Sequence, residues 1–379
     1  MSERQVPVVV LAGFLGSGKT TLLNHLLHSS GGSRIGAIVN DFGAIEIDAM
    51  AVAGALGDST VSLGNGCLCC AVDASDLDQY LDKLTRPSAR IDVVVIEASG
   101  LAEPQELVRM LLASENPRVV YGGLVEVVDA AEFGNTRERH PEIERHLAIA
   151  DLVVVNKADR VPEEQRERTI ELVRGLAGRA AVVPASYGRI DPELLFDRKP
   201  AEERIGQLSF DDLHDHDGAQ DDGHHHSGHL HAAYDSLSFT SDVPLSPRRL
   251  MEFLERRPEG LYRIKGHVDF GAADVRNRYV VHAVGPFLRF YPEPWAVGEA
   301  RLTQLVLIGS GIDIAALHKE LDAIRDDCLG SPDAPHADER SMWGVLRYVQ
   351  KPEEAEAPQG AEILRELDYL QESEQAEAG

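Results

Sequence analysis

Eight residues constrain this chain more than any others: Gly13-Phe14-Leu15-Gly16-Ser17-Gly18-Lys19-Thr20, which directly follow the apolar run Val8–Leu11. They fit G-x-x-x-x-G-K-[ST]. Glycines in such a loop let backbone N–H groups turn inward on phosphate oxygens, and a helix starting there adds positive potential from its N-terminus. The helix is indicated by Leu22, Leu23, Leu26 and Leu27, which share one face. Lys19 is placed to reach β- and γ-phosphates and the Thr20 hydroxyl to ligate Mg²⁺, while Gly13, Gly16, Ser17, Gly18 and Thr21 complete the cradle. A strand before the loop and a helix after it commit the chain to an α/β layer structure.

The rest of the first half agrees. Ile35–Val39, Val93–Ile96, Gly123–Val128 and Leu152–Val155 are short and mostly β-branched, and Leu101–Leu112 between them has helical spacing. Strands without clean alternation, separated by helices, predict a doubly wound, mostly parallel sheet covered on both faces. The pattern stops near residue 198, giving an expected P-loop domain over 1–200. Residues 201–232 read as a His/Asp-rich linker, 233–330 as a smaller α+β domain, and 331–379 as an acidic tail expected to be disordered.

Charge narrows the partners. Lys and Arg total 37 against 63 Asp and Glu, a net −26. Residues 201–231 hold eight acids and one Arg, and residues 351–379 nine acids and two basic residues, so each block carries −7. The balance argues against nucleic acid and against anionic lipid, both of which demand clustered cations. No apolar run approaches a membrane span, and no signal peptide opens the chain, so a cytoplasmic location is expected.

Asn156-Lys157-Ala158-Asp159 follows the strand ending at Val155, where a ligand loop of a doubly wound sheet belongs. A carboxylate at Asp159 accepts from the N1–H and the exocyclic amine of guanine, whereas adenine offers an acceptor at N1; the implied nucleotide is GTP. Ala185-Ser186-Tyr187 is a candidate for the far side of the base. Glu97 ends the buried run Val93–Ile96, with Gly100 three residues later. In that arrangement the acid holds Mg²⁺, directly or through water, and the Gly100 N–H senses the γ-phosphate. Lys19, Thr20 and Glu97 are the candidate catalytic residues; no Gln or Arg is marked as the group that orients water.

Cys67, Cys69 and Cys70 fall within four residues. Three thiolates can converge on Zn²⁺ or Cu(I) and leave one position open, as suits a transferable ion. A set of buried apolar cysteines and a redox set are the other readings. His214, His216, His224, His225, His226, His229 and His231 form a second metal-ligating group within 18 residues, interleaved with Asp residues that concentrate cations.

In their order, the phosphate loop, Asn40-Asp41-Phe42-Gly43, the CxCC segment, Glu97-Ala98-Ser99-Gly100-Leu101-Ala102-Glu103-Pro104 and Asn156–Asp159 resemble the CobW-like family of P-loop GTPases. Arg263-Ile264-Lys265-Gly266 and Leu307-Ile308-Gly309 resemble landmarks of its C-terminal domain, and the likeness covers roughly residues 5–325. It implies a GTP-hydrolysing metallochaperone with Cys67, Cys69 and Cys70 as ligands for zinc and a client metalloprotein as recipient. Asp41 stands where the family usually has Glu, and His146 where Gln is frequent. Assistance to cobalt insertion (Co²⁺ as cargo) in cobalamin synthesis and a His-rich metal buffer with secondary GTPase activity are the competing expectations. The sequence assigns no oligomeric state.

Overall fold

The computed structural model describes residues 5–40, 60–63, 74–100, 102–196, 234–329 and 339–349. Within the first part, β1 (Val6–Ala12), β2 (Ile35–Asn40), β3 (Thr60–Leu63), β4 (Val93–Glu97), β5 (Val119–Asp129), β6 (Leu152–Asn156) and β7 (Ala181–Pro184) form one sheet. Its order is β3-β2-β4-β1-β5-β6-β7 and every pairing is parallel. Most of the strands read as near-continuous apolar runs because both faces are covered. Val9 and Leu11 of β1 face Leu22, Leu23 and Leu26 of α1 (Lys19–His28). Val8 and Val10 face the opposite layer, with Leu77 and Leu81 of α2 (Ala74–Thr85) and Leu107 and Leu111 of α3 (Pro104–Leu112).

Helix α3 starts three residues later than the spacing from Leu101 predicts. Pro104 occupies its first position, where the missing N–H costs nothing. Helices α4 (Phe133–Arg139), α5 (Ile143–Ala148) and α6 (Glu163–Leu176) complete the first part, with Phe133, Leu147 and Val173 packed on Val128, Val153 and Val155. The strand order reverses direction at β1, between β4 and β5. Ligands of open α/β sheets bind at the carboxyl ends of the strands beside such a switch point, which here is where β1 runs into Gly13.

The second part is a five-stranded antiparallel sheet, β11-β10-β9-β12-β8. It is built from β8 (Asp235–Ser241), β9 (Leu261–Val268), β10 (Asn277–Val284), β11 (Phe287–Pro294) and β12 (Thr303–Gly309). Helices α7 (Pro247–Glu255) and α8 (Ile314–Leu329) supply Leu250, Phe253, Leu254, Leu317 and Leu321 to its core. Helix α7 is capped by Ser246, whose hydroxyl accepts from the Arg249 N–H, with Pro247 at the first position.

The acidic tail expected from 331 onward needs correction over part of its length. Residues 339–349 form a 3₁₀ turn (Glu339–Met342) and a short helix, α9 (Trp343–Leu346), that return to the second core. Met342 and Val345 are buried there, and the Phe290 N–H donates to Tyr348 O at 2.9 Å. The apolar and aromatic residues clustered at 342–349, within a tail that is acidic overall, supply the surface that packs on the sheet.

The two parts share a packed contact. Tyr262, Val284 and Ile308 enter the core on the α1 side of the parallel sheet, and Phe287 enters the other, its ring 5.6 Å from that of Tyr121. His282 donates through Nε2 to Tyr121 O at 2.8 Å, and the Ser310 hydroxyl donates to Val182 O at 2.8 Å. His25 likewise bonds Ile190 O at 2.8 Å, so His25 and His282 both serve packing.

Asp151 is a buried acid at this contact, near the buried Arg257 guanidinium. It accepts from the Tyr121 hydroxyl at 2.5 Å and from the Leu124 N–H at 2.7 Å. Burial pushes its carboxyl up to about 6 against the pull of those two donors.

Candidate functional site

The loop after β1 closes on itself. The Ser17 N–H donates to Phe14 O at 3.1 Å, and Gly18 sits at φ 104° to open α1. Lys19 is buried and donates through Nζ to Gly13 O at 2.7 Å and Phe14 O at 3.4 Å, folding its ammonium over the concavity where phosphates would lie. The loop has two anchors in the neighbouring strands. Thr20 donates its hydroxyl to Glu97 Oε1 at 2.6 Å across 77 residues of chain. The segment after Glu97 returns to the loop, since a Cβ on Gly100 would lie 2.8 Å from the Leu15 backbone nitrogen.

Thr20 and Glu97 thus bring a hydroxyl and a carboxylate to one point at the head of α1. An all-oxygen pair fits a hard, six-coordinate cation such as Mg²⁺, which keeps most of its remaining ligands as water and phosphate. Thr21 is exposed on the first turn of α1.

The second anchor comes from the Asn-Lys-x-Asp turn. Asn156 and Lys157, candidates with Asp159 for holding the nucleotide, both grip the loop. Asn156 is buried, donating through Nδ2 to Ser17 O at 2.9 Å and accepting at Oδ1 from the Gly188 N–H at 2.9 Å. It therefore ties the phosphate loop to the turn after β7, which holds Ser186 and Tyr187. Lys157, in the left-handed region at φ 57°, donates to Gly16 O at 2.6 Å and to Asp129 Oδ2 at 2.7 Å. Asp159 lies exposed in the 3₁₀ turn Ala158–Arg160, and Tyr187 is exposed in the turn after β7. A cavity of about 310 Å³ opens alongside, walled by Phe14, Gly16, Ser17, Asp129, Lys157 and Arg160.

Asp129 escaped the reading of the sequence although its signal equals that of Glu97: an acid closing a buried apolar strand. His146, singled out there as a departure, packs against Glu103 at 3.2 Å, and burial lowers its pKa. Cys67, Cys69, Cys70, Asp41 and the seven linker histidines from His214 to His231 lie outside the described residues. Among the described residues no group of three or more His, Cys, Asp or Glu side chains converges as a metal site.

A parallel sheet whose phosphate loop, strand-end acid and Asn-Lys-x-Asp turn converge at one edge defines a P-loop GTPase carrying a second, antiparallel domain. Two family models divide the chain in the same way: CobW/HypB/UreG, nucleotide-binding domain, over residues 7–184, and cobalamin synthesis protein cobW C-terminal domain over 234–325. A zinc chaperone CobW of Pseudomonas aeruginosa is 33% identical over 353 residues, covering 84% of this chain and 91% of the relative. A zinc chaperone CobW of a Sinorhizobium species is 28% identical over 85% of this chain and 98% of its own length. The zinc chaperone YjiA of Escherichia coli is 32% identical over 50% of this chain and 61% of its own. The chain belongs to the CobW family of GTPases.

Proposed function

We propose that this protein hydrolyses GTP to deliver zinc to a client metalloprotein in the cytoplasm. The observation that carries the reading is the Thr20–Glu97 pair at the mouth of the phosphate loop, 2.6 Å apart and flanked by Lys19. On this reading Lys19 leaves the Gly13 carbonyl for the β- and γ-phosphates, while Thr20 and Glu97 hold Mg²⁺. Mg²⁺ supplies charge neutralisation between those phosphates. Backbone N–H groups from Gly13 through Thr20 cradle the phosphate oxygens, with Thr21 continuing the helix start, and the Gly100 N–H reports on the γ-phosphate. Asp159 selects guanine, with Asn156 and Lys157 stiffening the loop from behind.

The zinc half rests on the named relatives and on where the thiols are tethered. Leu63, the last described residue before Cys67, Cys69 and Cys70, pairs in parallel with Asn40 at the carboxyl-end edge of the sheet. Glu97 ends β4 at that edge, so a change of nucleotide state acts on the stem of the thiol segment. The linker histidines His214, His216, His224, His225, His226, His229 and His231 would collect the ion at weaker sites.

Coupling of this kind is reciprocal: if GTP alters zinc affinity, zinc alters GTP affinity by the same factor. Titrating zinc against a competing chelator, with a non-hydrolysable GTP analogue and then with GDP, should give affinities differing by about tenfold or more. Equal affinities would sink the delivery mechanism. The cobalamin-synthesis description of the C-terminal domain family favours a second reading, with Co²⁺ as cargo. Stronger stimulation of GTP hydrolysis by Co²⁺ than by Zn²⁺ would decide for it.

A further inference from the structure

Glu126 has no place in the scheme above. It lies in the middle of the parallel sheet on β5, in register with Ala12 of β1 and Val153 of β6, and is 0% exposed. Leu124 and Val128, the residues two away on the same face, are apolar and buried, so the position suits any aliphatic side chain. Instead it holds a carboxyl group with no hydrogen-bond partner at either oxygen among the described residues. An isolated buried carboxylate is strongly disfavoured as an anion.

The charges on the surrounding elements are mostly committed elsewhere. On β4 Glu97 takes the Thr20 hydroxyl, Asp129 farther along β5 takes Lys157, and His146 of α5 is paired with Glu103. Lys19 is the charged group that bears on Glu126, reaching it from the loop that grows out of Ala12. Burial pushes the Glu126 carboxyl up to about 8, with Lys19 acting in the opposite direction.

We propose that Glu126 is a proton-coupled positioning residue of the GTP site: it is neutral while nucleotide fills the loop, and GTP binding takes up a proton there. The inference rests on GTP occupying this loop and adds a regulating ligand, the proton, to that occupancy. Nucleotide acts on Glu126 in one direction through two routes. It draws the Lys19 ammonium from Gly13 O towards phosphate, and it brings net negative charge to the far side of the same loop. Both favour the neutral acid, so proton affinity at Glu126 is higher in the bound state than in the empty one.

The sign follows. Below about pH 7 Glu126 is neutral in both states, and binding is independent of this group. Above about pH 8 the empty protein loses the proton and the bound protein keeps it, so GTP affinity falls by up to tenfold per pH unit.

Isothermal titration of the full chain with Mg²⁺ and a non-hydrolysable GTP analogue, in buffers of differing ionisation enthalpy, reads the proton directly. At pH 8.5 the wild type should take up more than about half a proton per nucleotide beyond a variant without the carboxyl, the difference falling towards zero at pH 6.5. Glu126→Gln, which keeps the shape without the titration, should lose that uptake, and its KM for GTP should vary less with pH while the kcat profile does not follow. Glu126→Leu provides the same comparison should the amide fold poorly. Ionisation of the nucleotide's own terminal phosphate and base contributes equally to all three proteins and cancels in the difference. Tight binding by the wild type without proton uptake at pH 8.5, or equal uptake in wild type and variants, overturns the inference and leaves the GTPase assignment standing.

Discussion

A single methyl group measures how tightly the nucleotide loop is built. A Cβ on Gly18 would lie 2.3 Å from Asn156 Nδ2, at a φ of 104° that L-residues rarely adopt. Gly18→Ala must therefore strain the turn and displace the side chain that ties Ser17 to Gly188. A cost of about 2–3 kcal/mol to the binding-competent loop predicts GTP affinity lower by a factor on the order of 50, readable by titration with a fluorescent nucleotide. Thr20→Ala removes the hydroxyl 2.6 Å from Glu97 and so one of the two side-chain oxygens offered to Mg²⁺. Hydrolysis should fall on the order of 100-fold, and the Mg²⁺ concentration for half-maximal rate should rise. Glu97 and Lys19 stand out as candidates in the sequence because phosphate and Mg²⁺ chemistry admits few residue types. Asn156 was legible by type but not by task, since the contact it makes with Ser17 spans 139 residues.

At the level of elements, the contact between β5, β6 and the β10–β11 turn turns on Asp151. Its carboxyl sits at about 6 in the folded protein, above the ordinary 3.8. The folded state therefore binds the proton more tightly, so the stability from this group is fully present below about pH 4 and lost as pH rises to about 6. A shift of that size corresponds to roughly 3 kcal/mol. Asp151→Asn should remove this part of the pH slope, as urea denaturation at pH 5 and pH 7.5 would show. Tyr121→Phe takes away a donor that holds the anion. It should cost about 1–3 kcal/mol at pH 7.5 and less at pH 5, where the acid is protonated. Strands β1, β2, β4 and β6 were readable from β-branched runs. Long β5 was truncated in that reading because Gly122 and Gly123 interrupt it; both are required there, a Cβ on Gly122 falling 2.9 Å from the Val8 backbone.

For the whole molecule, the −26 charge resolves into a sheet-built GTPase of moderate charge and two acidic blocks, only one of which is interleaved with histidines. If the protein is a chaperone rather than a buffer, deleting residues 211–231 should abolish the weaker zinc sites and leave one thiol site and the GTPase rate. Equilibrium dialysis of zinc against both proteins tests this; loss of all but a trace of zinc binding would favour the buffer. Among the described residues no helix is long and apolar enough to cross a membrane.

What the amino-acid sequence determined by itself is what local backbone needs: glycines for the loop after β1, a tight turn after β6, apolar runs for a parallel sheet. These needs are met within a few residues, so they are written contiguously. Tertiary structure alone decided that Thr20 meets Glu97, that Asp129 restrains Lys157, and that residues 339–349 return to the second core. It also decided that Glu126 is sealed in the sheet without a partner. Each of these depends on strand order, and hydrophobic periodicity reports that a strand is buried without recording which strand lies beside it.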